Sequence, residues 1–252
     1  MALIASSTPE ARKADAELRA DYDFVPLEEA DTIIALGGDG HMLQILHQML
    51  ERGQVCPVYG MNLGTVGFLM NEWRPGELMA RLGKAKSFTV KPLQVTITTL
   101  EGKTHILPAI NEVSLLRETR QTAKIGISVN GREAITELIC DGVLVATPAG
   151  STAYNLSANG PILPLDSSLL ALTPISPFRP RRWQGAILPD FSRVGFRIRE
   201  AEKRPVAAVA DQTEIRDIAE VQLKLARDKE LTLLFDPGHS LDERIVAEQF
   251  VN

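Results

Sequence analysis

The stretch from Asp31 to Tyr59 reads DTIIALGGDGHMLQILHQMLERGQVCPVY. Its opening run, Asp31 to Leu36, is short, apolar and bounded by an acid and by glycines, which suits a strand buried on both faces of a parallel sheet. Met42, Leu43, Leu46, Met49 and Leu50 then recur at helical spacing, and Gly53 closes that helix before a second apolar run from Val55 to Tyr59. Strand, helix and strand form a βαβ unit.

Outward from this unit the pattern continues in both directions. Ala2 to Ser6 reads as a further short strand and Glu10 to Ala20 as a charged helix. From about Phe88 the texture changes to β-branched runs between turn signals, with Asn130-Gly131 the strongest hairpin signal. The prolines between Pro174 and Trp183 mark a loop, and helical texture returns only at Leu241 to Phe250, after a turn with Ser240 as its cap. The expected fold is an α/β N-terminal domain with a Rossmann-like parallel sheet, plus a mainly antiparallel β C-terminal domain. The boundaries are placed at residues 1–85 and 86–235, with 236–252 a turn and helix returning to the first domain.

Composition narrows the function. Hydrophobic residues make up 44% and charged residues 23%, which is ordinary for a folded soluble chain. A net charge of −5 provides no footprint for nucleic acid or an anionic membrane, so neither is an expected partner. The two cysteines, Cys56 and Cys140, have no paired spacing and signal neither a disulfide framework nor a zinc site. The start MALIASSTPEARK has no signal-peptide pattern and no run reaches membrane-spanning length, so a cytoplasmic location is expected.

Four segments carry chemistry. Gly37-Gly38-Asp39-Gly40 lies where a buried strand meets a helix start, the place where α/β folds hold ligands. Glycines admit a close phosphate, the helix start favours anions, and the carboxylate can take a proton from a hydroxyl. Taken alone, the same turn serves equally well with Asp39 only capping its helix. Gly60 to Leu69, GMNLGTVGFL, leaves the same sheet edge after the next strand, so Asn62 and Gly64 join Gly37, Gly38 and Gly40 as phosphate-donor loop candidates. Asn111-Glu112 places an amide beside a carboxylate at a strand junction, suiting a base edge or a ribose diol, though an exposed turn reads the same way. Asp141 to Pro161, DGVLVATPAGSTAYNLSANGP, opens a buried strand into a loop of hydroxyls and small residues in which Tyr154 supplies a stacking face.

In their order these segments resemble the NAD kinase family, whose pattern is GGDG, then G-x-N-x-G-x-x-G-F-L, then an Asn-Glu pair, then D-G running into T-P-T-G-S-T-A-Y. The resemblance implies two domains enclosing an NAD site between them, and transfer of phosphate from ATP or polyphosphate to the 2′-hydroxyl of the adenosine ribose. It implies Asp39 as general base, and an NAD site built from Asp39, Gly40, Asn111, Glu112 and Asp141 with Thr152, Ala153, Tyr154, Asn155, Leu156 and Ser157. A divalent cation, magnesium or manganese, would ride on the donor phosphates without a protein cage, and the assembly would be a homodimer or homotetramer. This chain departs from the family at His41 for Thr, at Ala149 for the second Thr, at Asn155 for Ser, at Asp211-Gln212-Thr213 for D-G-Q, and at Ile139 where some members have Arg. Arg179, Arg181 and Arg182 have no assigned role. Three rival readings are a lipid kinase or phosphofructokinase sharing the GGDG turn, a non-catalytic NAD sensor, and an interaction module. The acceptor loops argue against the first and the intact Asp39 against the second.

Overall fold

The computed structural model describes residues 1–64 and 67–238. The expected helix over 241–250 and its Ser240 cap lie outside the described residues. The chain divides into two compact units, Met1–Val90 with Lys229–Asn252, and Lys91–Asp228.

In the first unit, strand β1 (Ala2–Ala5) leads to helix α1 (Pro9–Asp21), strand β2 (Ile33–Gly37), helix α2 (Asp39–Arg52) and strand β3 (Val58–Asn62). Thr8 caps α1 by accepting the Ala11 amide at 3.3 Å, and Pro9 supplies a fixed φ at the first helical position. Every residue of β2 is buried, because both faces of the strand are covered, and the apolar run therefore shows no alternation. Helix α2 buries Met42, Leu43, Ile45, Leu46 and Met49 and stops at Gly53, whose φ of 66° is left-handed.

After β3 come a short strand β4 (Asn71–Glu72), helix α3 (Leu78–Leu82) and strand β5 (Lys86–Val90). The sheet runs β1-β2-β3, then Leu231–Phe235, then β5, with β4 beside β3; β5 alone is antiparallel to its neighbour. The boundaries expected from sequence are thereby corrected: both β5 and Leu231–Phe235, read as parts of the β domain, are strands of this first sheet. Their composition matches the later strands, and only pairing across the length of the chain distinguishes them.

Buried polar groups fasten this return. Asn71, with no exposed surface, donates from its amide to the carbonyls of Gly60 at 3.0 Å and Leu234 at 2.9 Å, and accepts the Asp236 amide at 2.8 Å. Asp236 in turn receives the Tyr59 hydroxyl at 2.7 Å and the Arg81 guanidinium at 2.6 Å. Burial, followed by this bond to Asp236, pushes the Tyr59 hydroxyl well above the usual phenol range.

The second unit holds two six-stranded antiparallel sheets. One runs in the order 132–140, 123–129, 194–198, 218–225, 93–99, 104–109; the other in the order 186–189, 169–175, 142–146, 112–117, 206–210, 213–215. Leu93, Val95, Ile127, Phe196 and Val221 of the first share one core with Val113, Leu115, Val143 and Val145 of the second. The expected hairpin forms at Asn130-Gly131, with φ of 53° and 77°, and places Arg132 opposite Val129. Strand Gly142–Ala146 is buried throughout because its other face is covered as well: Leu144 and Ala146 pack with Leu163, Ala171 and Tyr154 beneath the loop that follows. Among the described residues no helix is long and apolar enough to cross a membrane.

Candidate active site

In the first unit the two glycine loops leave neighbouring parallel strands and meet. The Leu63 amide donates to the Gly37 carbonyl at 2.7 Å, and a Cβ added at Gly64 would lie 3.6 Å from the Gly38 Cα. Asn62 does not point outward; its Oδ1 accepts the Gly64 amide at 3.0 Å, and a Cβ at Gly67 would press on it at 2.9 Å. Asn62 therefore shapes its own loop.

Asp39 is the first residue of α2, where Gly38 is the cap and supplies no side chain. Its carboxylate does not cap its own helix: it accepts the amides of Phe68 at 2.8 Å and Leu69 at 2.9 Å. One side chain thus ties the turn to the second glycine loop while lying at the anion-favouring end of α2. His41, in the first turn of α2, lies back over Gly37, where a Cβ would sit 2.9 Å from its own, and among the described residues its buried Nε2 has no partner.

In the second unit Asn111 and Glu112 form a corner. Thr147 grips it from one side, its amide donating to the Asn111 carbonyl at 2.9 Å and its hydroxyl to the Ile110 carbonyl at 2.7 Å. Gly150 packs so closely that a Cβ there would fall 2.1 Å from the Asn111 carbonyl oxygen. Asp211 grips it from the other side, through the amides of Ile110, Asn111 and Glu112. Asn111 Oδ1 and Glu112 Oε2 are nevertheless buried without partners. Burial and then the nearby Asp211 carboxylate push the Glu112 carboxyl up to about 8, so it carries its proton at neutral pH.

Glu112 pairs in register with Ala146, so its side chain shares the sheet face on which Tyr154 packs. Burial, then Glu112, then Asp141 push the half-buried Tyr154 hydroxyl above its usual range. Asp141 immediately precedes the same strand, and one of its oxygens receives the Arg117 guanidinium at 2.6 Å, a partner that the sequence did not reveal.

Loop residues 151–161 divide into supports and exposed groups. The Ser151 hydroxyl donates to the Pro148 carbonyl at 2.8 Å and accepts the Leu163 amide at 3.0 Å. Asn155 is fully buried: its amide donates to the carbonyls of Ser151 and Pro161, and its Oδ1 accepts the Thr173 hydroxyl at 2.7 Å. Its side chain holds the loop. Thr152 is buried, Ala153 and Tyr154 are half-buried, and Leu156 and Ser157 are exposed. Among the described residues no group of three His, Cys, Asp or Glu side chains is arranged to hold a metal ion.

Glycine loops at the carboxyl edge of a parallel sheet, with a carboxylate starting the next helix, are the arrangement in which α/β proteins hold phosphate ligands. The chain belongs to the NAD kinase family. Residues 4–82 match the ATP-NAD kinase N-terminal domain and residues 110–234 the ATP-NAD kinase C-terminal domain. Over 250 residues, 99% of this chain, it is 62% identical to the NAD kinase of Rhizorhabdus wittichii, covering 97% of that protein. It is 64% identical to the NAD kinase of Zymomonas mobilis over the same shares of the two chains. The fold is similar to yeast NADH kinase complexed with NADH, with a TM-score of 0.82 at 22% identity over 98% of this chain and 86% of that one. It is similar also to an NAD kinase from Archaeoglobus fulgidus in complex with ATP, with a TM-score of 0.75 at 23% identity over 98% of each chain.

Proposed function

We propose that the chain phosphorylates the 2′-hydroxyl of the adenosine ribose of NAD to give NADP, with ATP or polyphosphate as donor. Its 62% and 64% identity to two NAD kinases over nearly the full chain carries this reading. The paired glycine loops support it chemically, with Gly37, Gly38, Gly40 and Gly64 receiving donor phosphates and Asn62 holding the second loop in shape. The buried orphan oxygens of Asn111 and Glu112 support an acceptor nucleotide on the second unit, since such atoms each cost about 1–3 kcal/mol unless a ligand or water satisfies them. Tyr154 gives that nucleotide a flat face, and Thr152, Ala153, Leu156 and Ser157 line it. Asp141 offers its second oxygen to the nicotinamide half.

Phosphoryl transfer asks mainly for alignment and charge neutralisation. A divalent cation entering with the donor phosphates supplies part of that neutralisation. Asp39 takes the hydroxyl proton late, since a carboxylate is a weak base and the acceptor becomes acidic only as the bond forms. The enzyme is expected to work in the cytoplasm as a homodimer or homotetramer.

The test is Asp39→Asn. The amide oxygen keeps a contact to the amide of Phe68 or Leu69, so NAD should bind within a few-fold of wild type while kcat falls by about a hundredfold or more. Equal losses in NAD affinity and kcat would make Asp39 a ligand group and remove it as the base.

A further inference from the structure

Asp211 lies in the turn between strands 206–210 and 213–215, at the point where the sequence departs from the family pattern, with a left-handed φ of 50° that aspartate tolerates. Its carboxylate accepts three consecutive amides, Ile110 at 2.6 Å, Asn111 at 2.9 Å and Glu112 at 3.2 Å, and its own amide returns a bond to the Glu112 carbonyl at 3.1 Å. Successive amides converging on one anion form a rigid concave turn. The opposite side of the same three residues is held by Thr147 and packed by Gly150. The backbone of the corner is therefore fully engaged, whereas Asn111 Oδ1 and Glu112 Oε2 are left buried and unpartnered. A fold that spends four hydrogen bonds fixing a corner and then leaves its two side-chain oxygens unsatisfied is arranged for an outside group.

We propose that Asp211 is a positioning residue for the acceptor nucleotide, clamping the Ile110–Glu112 backbone so that Asn111 and Glu112 meet the NAD with fixed geometry. This rests on the NAD kinase reading. The clamp has an electrostatic side. Asp211 holds a negative charge against Glu112, and two neighbouring carboxylates in a desolvated site do not both ionise readily. The Asp211 oxygens are held by amides, whereas Glu112, buried with an orphan oxygen, is pushed up and keeps its proton. The corner then offers an O–H donor from Glu112 beside an acceptor from Asn111, complementary to a nucleoside edge that bears one acceptor and one donor. The other titratable group on this sheet face is Tyr154, above its usual range and uncharged; Asp141 lies beyond the far end of the strand and is paired to Arg117.

The experiment is NAD binding by titration calorimetry across pH 6 to 10, with KM for NAD and for ATP measured alongside. In the wild type NAD affinity weakens as pH rises through about 8, when Glu112 loses its proton. Asp211→Asn weakens NAD binding roughly tenfold or more through loss of amide contacts, leaves the KM for ATP unchanged, and moves the inflection to lower pH. Thr147→Val loosens the same corner without changing charge, so it weakens NAD binding with the inflection in place. Glu112→Gln abolishes the inflection. If Asp211→Asn is unstable, Asp211→Ser, which retains one acceptor, takes its place; two unfolded variants would make Asp211 a folding residue and overturn the proposal. So would an unmoved inflection in the folded variant, or equal rises in both KM values. A wild type that binds NAD with this pH profile yet forms no NADP would instead refute the kinase reading and leave the clamp standing.

Discussion

Gly150→Ala gives a sharp test of how the acceptor corner is built. The added Cβ would lie 2.1 Å from the Asn111 carbonyl oxygen, 2.4 Å from its carbon and 2.5 Å from its Cα, all backbone atoms that cannot rotate away. Ordinary contact begins near 3.4 Å, so the corner or the 147–150 turn must move by about 1.3 Å. Thr147 and Asp211 hold the corner from both sides, so the shift is shared with the groups that would orient NAD. Overpacking of this kind costs about 1–3 kcal/mol, less than the stability of an ordinary domain, and the protein should still fold. A displacement near 1 Å in a positioning group is worth about a hundredfold in rate. The expected result is therefore a fall of about that size in kcat/KM for NAD, a modestly lower melting temperature, and a KM for ATP within about twofold of wild type. Gly76→Ala, which meets nothing within 4 Å, is the control and should match wild type. Wild-type kcat/KM for NAD in a folded Gly150→Ala protein would refute the assignment of the 110–112 corner to the acceptor.

Other consequences follow from the anchors and the buried acid. Arg81→Ala removes charge-assisted hydrogen bonds to the part-buried Asp236 and is expected to cost about 2 kcal/mol in urea unfolding, while Arg81→Lys recovers part of it. Gly53→Ala, at φ 66°, should cost about 1 kcal/mol without touching either KM, since nothing lies near its Cβ. The folded-state carboxyl of Glu112 is pushed up to about 8, above its ordinary value of 4.5, so between those pH values the folded protein holds a proton that the unfolded chain has released. Stability must therefore fall as pH rises through that window, by at most about 1.4 kcal/mol per pH unit, and be flat above it as far as this group is concerned. Chemical unfolding of Glu112→Gln at pH 5, 7 and 9 should show a shallower decline than the wild type.

Much of this was legible in the chain. DTIIAL reads as a doubly covered strand because both faces are apolar, the α2 stripe follows from helical spacing, and Asn130-Gly131 fixes its own hairpin through positive φ. The segments that carry the site were legible too, because glycines and hydroxyls at strand ends have few other uses. What escaped were relations between distant residues. LTLLF at 231–235 looks like any half-buried strand, and only its neighbours β3 and β5 place it in the first sheet. The Asp39 carboxylate reads as a helix cap until the amides of Phe68 and Leu69 are seen to take it. Asn155 reads as a ligand group in a polar loop, yet Ser151, Pro161 and Thr173 absorb its amide. Arg117 on Asp141 and Asp211 beneath Asn111 belong to the same kind, polar partners set by sheet pairing and invisible to local pattern.

The central claim is tested most directly by incubating the purified wild-type protein with NAD, magnesium and ATP labelled in its terminal phosphate, and then locating the label in the product. The account predicts NADP labelled on the 2′-oxygen of the adenosine ribose. Label appearing only in free phosphate, with NAD bound but unchanged, would contradict it and leave a nucleotide-binding protein that does not phosphorylate NAD.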